Sequence, residues 1–431
     1  MARYRIDQIA FDDDDPRVQG LLSHAHAASK RPRCLCRQPP IPMYVAKIAG
    51  SFYLKRMPGS GSQHDPSCDS YEPPPELSGL GQVLGSAIRE DVETGSVALR
   101  LDFALTKTGS RAPPAPSGAE PGSVQTDGKK LSLQALLHYL MDQARFNRWV
   151  PAMLGKRSWS VVSKHLRQAA LNKYSKGSPL DGLLFIPEPF VAEHKAQIAA
   201  RRAAILRPLS KPSGAGRKLM ILVAEVKSIE PARYDFRLVV KHLPDFPFLL
   251  NTDLHKRLSK RYGHELALWN FDEHGHLLVI ATFELAPSGV AVIEQAALMN
   301  VNAQWLPYES TAELELLDTL VAHNRIFTKG LRYNLPTSRP LASAVLTDTT
   351  PDQFALYVLP ADFSHDYVVA LTDHLANSTL RNWFWQPPNQ RPGLPDVDNA
   401  ASMPTPELEA LGSPEDADES TDVPDALSEA Q

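Results

Sequence analysis

Three cysteines and a histidine carry the strongest chemical signal in this chain. All three cysteines of its 431 residues fall between positions 34 and 68, as Cys34-Leu-Cys36 followed by His64-Asp-Pro-Ser-Cys68. Thiolate and imidazole suit zinc, and three sulfurs with one nitrogen complete a tetrahedron. A closed Cys3His set leaves no position for water or substrate, so a structural rather than catalytic Zn2+ is expected. Residues 43–48 and 52–56 read as strands around Ala49-Gly50-Ser51, and such a hairpin carries His64 and Cys68 back towards Cys34 and Cys36. His24 or His26 could serve instead of His64, which is preferred for its four-residue step to Cys68. Thiols that merely pack are the bland alternative. An odd number of cysteines in a large chain argues against disulfides.

A second chemical pattern ends the apolar run 219–227, where Glu225-Val226-Lys227 follows Leu-Met-Ile-Leu-Val-Ala. Glu-x-Lys at a strand end, with an upstream aspartate, is how restriction-endonuclease-like enzymes hold Mg2+ and position water. Asp181 is the natural upstream partner. Residues 234–242 read as a further strand, however, where those enzymes place a helix. A Mg2+-dependent nuclease using Asp181, Glu225 and Lys227 is therefore the alternative function. The region 301–385 has the converse character. Glu309 leads into a helix over 311–324 and strands over 326–333, 341–346 and 354–359, an order resembling the same nuclease fold. Its strands carry Ala342-Ser343-Ala344 and Leu356-Tyr357-Val358 where carboxylates and lysine are needed. A degenerate, non-catalytic derivative is expected there. Gly59-Ser-Gly61 and Gly214-Ala-Gly216 are too short for a phosphate loop, which excludes an NTPase.

The net charge of −4 hides a strong polarity along the chain. Residues 129–176 contain ten Lys or Arg and one acid, Asp142, whereas 396–431 contain eleven acids and no Lys or Arg. Apolar residues at helical spacing over 131–149 and 158–173, separated by Pro151, suggest a helix-turn-helix with a wing after Tyr174. Lys156, Arg157, Lys164, Arg167, Lys173 and Lys176 would then neutralise DNA phosphates. A solvated basic face is the plainer reading.

The block Cys34-Leu-Cys36, Pro42-Met43-Tyr44-Val45-Ala46, Lys55-Arg56-Met57-Pro58-Gly59 and His64-Asp-Pro-Ser-Cys68, with Phe185-Ile-Pro-Glu-Pro-Phe190 and Lys329-Gly-Leu-Arg-Tyr-Asn334, resembles the bacterial family numbered 1173 among domains of unknown function. The resemblance implies three N-terminal cysteines as a shared feature, matched by Cys34, Cys36 and Cys68. It also implies an association with mobile genetic elements. A looser likeness to competence-type proteins, with a metal-binding N-terminus before a nuclease-like domain, implies DNA handling.

The expected architecture is a multidomain α/β (α+β) chain. It comprises a zinc-binding β-hairpin module over 1–105, a linker over 106–128, a basic winged-helix-like segment over 129–190, and a β-rich central domain over 191–300. A nuclease-like α/β domain over 301–385 and a disordered acidic tail over 386–431 complete it. The expected function is that of a zinc-stabilised, non-catalytic, DNA-binding accessory protein of a mobile element. A protein-interaction scaffold, with the acidic tail meeting a basic partner, is a further alternative. No apolar run approaches a membrane span and no signal peptide is evident, so no membrane partner and a cytoplasmic location are expected.

Overall fold

The computed structural model describes residues 3–107, 128–210 and 216–398, and its fold is mixed α+β. At the N-terminus, β1 (Arg3–Ile6), β2 (Ile9–Asp12), β3 (Arg33–Cys34), β4 (Ile41–Ile48) and β5 (Ser51–Arg56) form a sheet in the order β2-β1-β3-β4-β5. α1 (Val18–Ala27) buries Leu22 and Ala25 against it, joining Tyr4, Ile6, Phe11, Ile41, Met43 and Val45 in a small core. The expected hairpin is β4–β5, turning at Ala49 and Gly50, both at positive φ (48° and 88°). Glycine suits such a turn because it carries no Cβ.

The short α2 (Leu80–Val83) precedes β6 (Ile88–Glu90) and β7 (Val97–Leu99), and β8 (Thr106–Lys107) closes this part of the chain. Then come α3 (Leu133–Gln143), β9 (Arg148–Trp149) and α4 (Trp159–Ala170), near the expected helix pair. Ser132 caps α3 by accepting from the Ala135 N–H, the usual role of serine at that position. The surroundings are not those of a winged helix. α3 is buried on almost every side, and β9 between the helices pairs with a C-terminal strand at Phe327 and Thr328. The expected wing is β10 (Lys173–Ser175) and β11 (Ser178–Pro179), which extend the β6–β7 pair into a four-stranded sheet. β10 runs parallel to β7 within it. Ladders thus cross the expected boundaries, and one apolar core runs from Val83 to Tyr333.

β12 (Leu184–Phe185) and α5 (Lys195–Leu206) lead to β13 (Arg217–Lys218), which pairs with β8. β14 (Met220–Pro231), β15 (Phe236–Val240), β16 (Phe248–Leu250), α6 (Thr252–Arg261), α7 (Gly263–Phe271), β17 (His276–Leu285) and β18 (Ala291–Val301) follow. β14 pairs with β15, β15 with β16, β16 with β18, β18 with β17 and β17 again with β14, so these five strands close into a barrel. Leu222, Val226, Leu238, Val240, Phe248, Val279 and Phe283 are fully buried there. β12 adds to β14 in parallel, and β19 (Pro307–Tyr308) adds to β18.

The C-terminal part runs α8 (Thr311–Ala322), β20 (Phe327–Lys329), β21 (Ala344–Leu346), β22 (Phe354–Val358), α9 (His365–Ala376) and β23 (Arg381–Trp385). Its sheet order is β23-β22-β21-β20-β9, with β23 parallel to β22. The chain stays packed beyond 386, where the tail was expected to begin. Arg325 donates to the Pro395 carbonyl at 2.7 Å, Trp383 Nε1 to that of Gly393 at 2.8 Å, and the Thr350 N–H to that of Val397 at 2.8 Å. The acidic stretch from 399 on, and most of the expected linker (108–127), lie outside the described residues. Among the described residues no helix is long and apolar enough to cross a membrane.

Candidate metal centre

Cys34 ends β3, Cys36 follows it by two residues, and the hairpin returns the chain through a turn at Gly61–Gln63 to His64 and Cys68. The four donor atoms lie within 4.8 Å of one another. Cys34 Sγ is 3.7 Å from Cys68 Sγ, and His64 Nδ1 is 3.4 Å from Cys36 Sγ and 3.8 Å from Cys68 Sγ. Zinc–sulfur and zinc–nitrogen bonds of about 2.3 and 2.05 Å give tetrahedron edges of about 3.8 Å between sulfurs and about 3.6 Å between sulfur and nitrogen. These three separations lie within about 0.2 Å of those edges, and the other donor pairs stay within 4.8 Å. They are far from the ~2.05 Å of a disulfide, and all three cysteines are free. The donor set therefore fits a metal ion such as zinc.

The surroundings suit bound thiolates. Cys34 and His64 are fully buried and Cys68 nearly so, while Cys36 is half-buried and its sulfur accepts from the Asp65 N–H at 3.5 Å. Hydrogen bonding between the Cys34 thiol and the Cys68 sulfur, with burial behind it, raises Cys34, and the same bond holds Cys68 down to about 4. The pair thus favours the charged form on Cys68, and a bound dication would draw the other thiols towards the thiolate. His24 is exposed on α1 and His26 packs on Phe52 at 5.4 Å, so neither joins the cluster. The Asp69 carbonyl, next to Cys68, accepts from Arg145 at 2.6 Å and Arg148 at 3.1 Å, which docks the site onto the segment after α3.

The family model for proteins of unknown function, DUF1173, matches residues 4–388. The chain belongs to the DUF1173 family. Neither a curated protein nor a solved structure matches it. Within this DUF1173 chain the other expected site residues fare differently from the cysteines.

Asp181, Glu225 and Lys227 do not converge. Asp181 is exposed in the turn that precedes β12, whose Leu184 lies beside Ile221 of β14. Glu225 lies four residues beyond Ile221 on β14, roughly 13 Å at strand rise. Lys227 falls on a bulge between Val226 and Ser228 and is exposed. Glu225 is buried with partners that the motif did not suggest. Lys241 Nζ donates to its Oε1 at 2.5 Å and His276 Nδ1 at 2.6 Å, while His242 Nε2 sits 3.7 Å from Oε2. Burial alone would raise the carboxyl, but the bonds from His242, His276 and Lys241 outweigh it and hold the group well below the usual carboxylate range. His242 stacks on Trp159 at 5.3 Å and His276 on Trp305 at 4.2 Å. Both carboxylate oxygens are thus engaged by the protein's own donors.

Three of the six expected phosphate contacts are likewise committed elsewhere. Arg157 donates to the carbonyls of Phe146 and Gln304, each at 3.1 Å, and lies over the Phe146 and Trp149 rings, which ties the segment before β9 to the loop between β18 and β19. Arg167 donates to the Ile186 carbonyl at 2.6 Å. Lys173 is buried on β10, 5.7 Å from the Tyr139 ring, and burial pushes its ammonium down to about 7. Lys156, Lys164 and Lys176 are exposed. A second basic stretch, which sequence reasoning passed over, follows in the chain. Residues 195–218 hold seven Lys or Arg and no acid, and α5 within that stretch buries little beyond Ile198 and Leu206. Arg167, Arg201 and Arg202 line one cleft of about 230 Å³ between α4 and α5.

Proposed function

We propose that this chain is a nucleic-acid-binding protein built around a structural zinc ion, with duplex DNA held by Lys164 of α4, by Lys156 and Lys176 on either side of that helix, and by the exposed cations of the 195–218 stretch. What carries the zinc assignment is the match between donor separations and tetrahedral edges, with Cys34, Cys36, His64 and Cys68 filling all four corners. Such an ion secures the N-terminal sheet and has no corner for substrate. The DNA assignment is supported by the exposed Lys156, Lys164 and Lys176, together with the acid-free 195–218 stretch that follows in the sequence.

A metal-dependent nuclease is disfavoured by the Lys241 and His276 bonds to the Glu225 carboxylate and by Lys227 standing exposed on the bulge. The order α8-β20-β21-β22-α9-β23 supports descent from a restriction-endonuclease-like fold. The acids at the start of α8, Glu309 just before it and Glu313 in its first turn, are spent internally, Glu313 on Lys329 at 3.0 Å and Glu309 on Arg332 at 2.7 Å.

The test combines metal analysis with a salt series on duplex DNA. One zinc per chain is expected, with log affinity falling linearly in log salt. Replacing Lys156, Lys164 and Lys176 together by Ala should lower the slope by about 2.7, at roughly 0.9 per phosphate contact. Absence of salt-dependent duplex binding would remove the DNA assignment, and purified protein without zinc would remove the metal.

A further inference from the structure

The central barrel has a connectivity with chemical consequences. Numbered in chain order, β14, β15, β16, β17 and β18 are arranged 1-2-3-5-4-1, with the third and fifth strands parallel and all other neighbours antiparallel. α6 and α7 are inserted between the third and fourth, and the long first strand is bulged at its middle. This is the order of the OB-type barrel. That architecture offers the face of its second and third strands, flanked by the loops joining strands one to two and four to five, to oligonucleotides or oligosaccharides.

The residues on that face favour the oligonucleotide. Tyr234, at the tip of the hairpin between β14 and β15, is 78% exposed. The turn does not need the ring there. The tip is held by the Ala232 N–H donating to the Asp235 carbonyl at 2.7 Å, and by the Asp235 carboxylate accepting from the Thr252 N–H at 3.0 Å. An aromatic ring is thus presented to solvent from a fixed tip, with the Arg233 guanidinium 5.1 Å from its centre. Beside it Phe236 stacks face to face with His255 at 3.5 Å. Arg237 on β15 and Lys256 on α6 are exposed, and the acid nearest Arg237 is Glu230 at 3.4 Å, in a pair open to solvent on both sides. Across β16, the loop 286–290 approaches the same face, because Phe248 pairs with Ala291, and its sequence Ala-Pro-Ser-Gly-Val carries no charge.

We propose that this face binds a single-stranded nucleic acid, with Tyr234 stacking on a base and Arg233, Arg237 and Lys256 contacting its phosphates. Stacking requires an unpaired base with both faces open, which a duplex does not offer, and cations spaced around one aromatic ring track a backbone without reading sequence. An oligosaccharide would use the ring but not the guanidinium groups. The face lies on elements other than those bearing Lys156, Lys164 and Lys176, so the inference does not depend on duplex binding.

The full-length protein is titrated against labelled oligothymidylate and oligouridylate of about 15 nucleotides, a length that spans one such barrel. Binding of one or both, weakening with salt, is expected, and the two arms show whether DNA or RNA is preferred. Tyr234→Ala should weaken binding by about 5- to 150-fold, while Tyr234→Phe retains it. Replacing Arg233 and Arg237 by Ala should lower the salt slope by about 1.4. The Tyr234 ring is outside every core, so its removal leaves the fold intact, which circular dichroism checks. Undiminished binding by Tyr234→Ala, no binding of either strand, or displacement by a neutral oligosaccharide would each overturn the proposal. Duplex affinity of the same preparation reports separately on the α4–α5 face.

Discussion

Replacing Cys34 by Ser removes the most enclosed corner of the metal centre. Cys34 is fully buried and lies in the middle of its sheet, opposite Tyr4 on β1 and Ile41 on β4. The change is nearly isosteric, so its cost without metal should be small, about 1 kcal/mol for a hydroxyl placed among apolar neighbours. With metal the difference grows. A ligand held at 1,000 times its dissociation constant stabilises the folded state by about 4 kcal/mol, a gain open to the wild type and closed to the variant. The two proteins should therefore be close in stability with a chelator present and about 4 kcal/mol apart under buffered zinc. Tryptophan fluorescence will not report on this module, because none of the six tryptophans precedes residue 149. Hydrogen exchange read by mass spectrometry is the suitable assay. With zinc, peptides covering β1–β5 should be protected in the wild type and exchange early in the variant, while those from α3 and the central barrel stay alike. Full zinc stoichiometry in the variant, or equal protection of β1–β5 in the two proteins, would refute the reasoning.

Lys173 and Lys329 give two further tests. In the folded chain Lys173 titrates near 7, against about 10.5 in the unfolded chain, so between these values only the unfolded chain holds the proton and stability rises with pH. Lys173→Met should stabilise the protein by about 1–4 kcal/mol at pH 7 and by much less at pH 10, as urea melts at the two pH values will show. The same variant should bind DNA as the wild type does. Lys329 and Glu313 form a buried pair, so Lys329→Ala should cost about 3–5 kcal/mol by stranding the carboxylate. Lys329→Met combined with Glu313→Gln should recover most of that loss in denaturant titrations followed by tryptophan fluorescence.

The metal cluster was legible in the sequence because its chemistry is rare and its geometry local. A hairpin of six cross-strand pairs lies between two short ligand pairs, and the β4–β5 pattern alone brings them together. The strand at 219–227 and the helices near 131–149 and 158–173 were legible too, from apolar periodicity. The surroundings of these elements were not. Glu225 met Lys241, His242 and His276 because the barrel closes β14 against β17, a pairing that strand patterns do not specify. Arg157 and Lys173 look like surface cations by residue type. Only the packing shows one bridging carbonyls at a turn and the other lying beneath a tyrosine. Barrel closure escaped notice for the same reason: alternation predicts a strand, but not its partner.

The segment Lys329-Gly-Leu-Arg-Tyr-Asn334 joins parts of the chain that are synthesised far apart. Asn334 accepts from Ser132 at the start of α3, the Tyr333 N–H donates to His138 and its hydroxyl to Asp142, and Gly79 donates its N–H to Leu331. About 200 residues separate α3 from these partners, and at roughly 5–20 residues per second a ribosome needs about 10–40 s to make them. For that interval Ser132 and His138 lack their Asn334 and Tyr333 partners, and Asp142 has only its local bond from Asn147. Completion of residue 334 is the event that lets the first half of the protein settle.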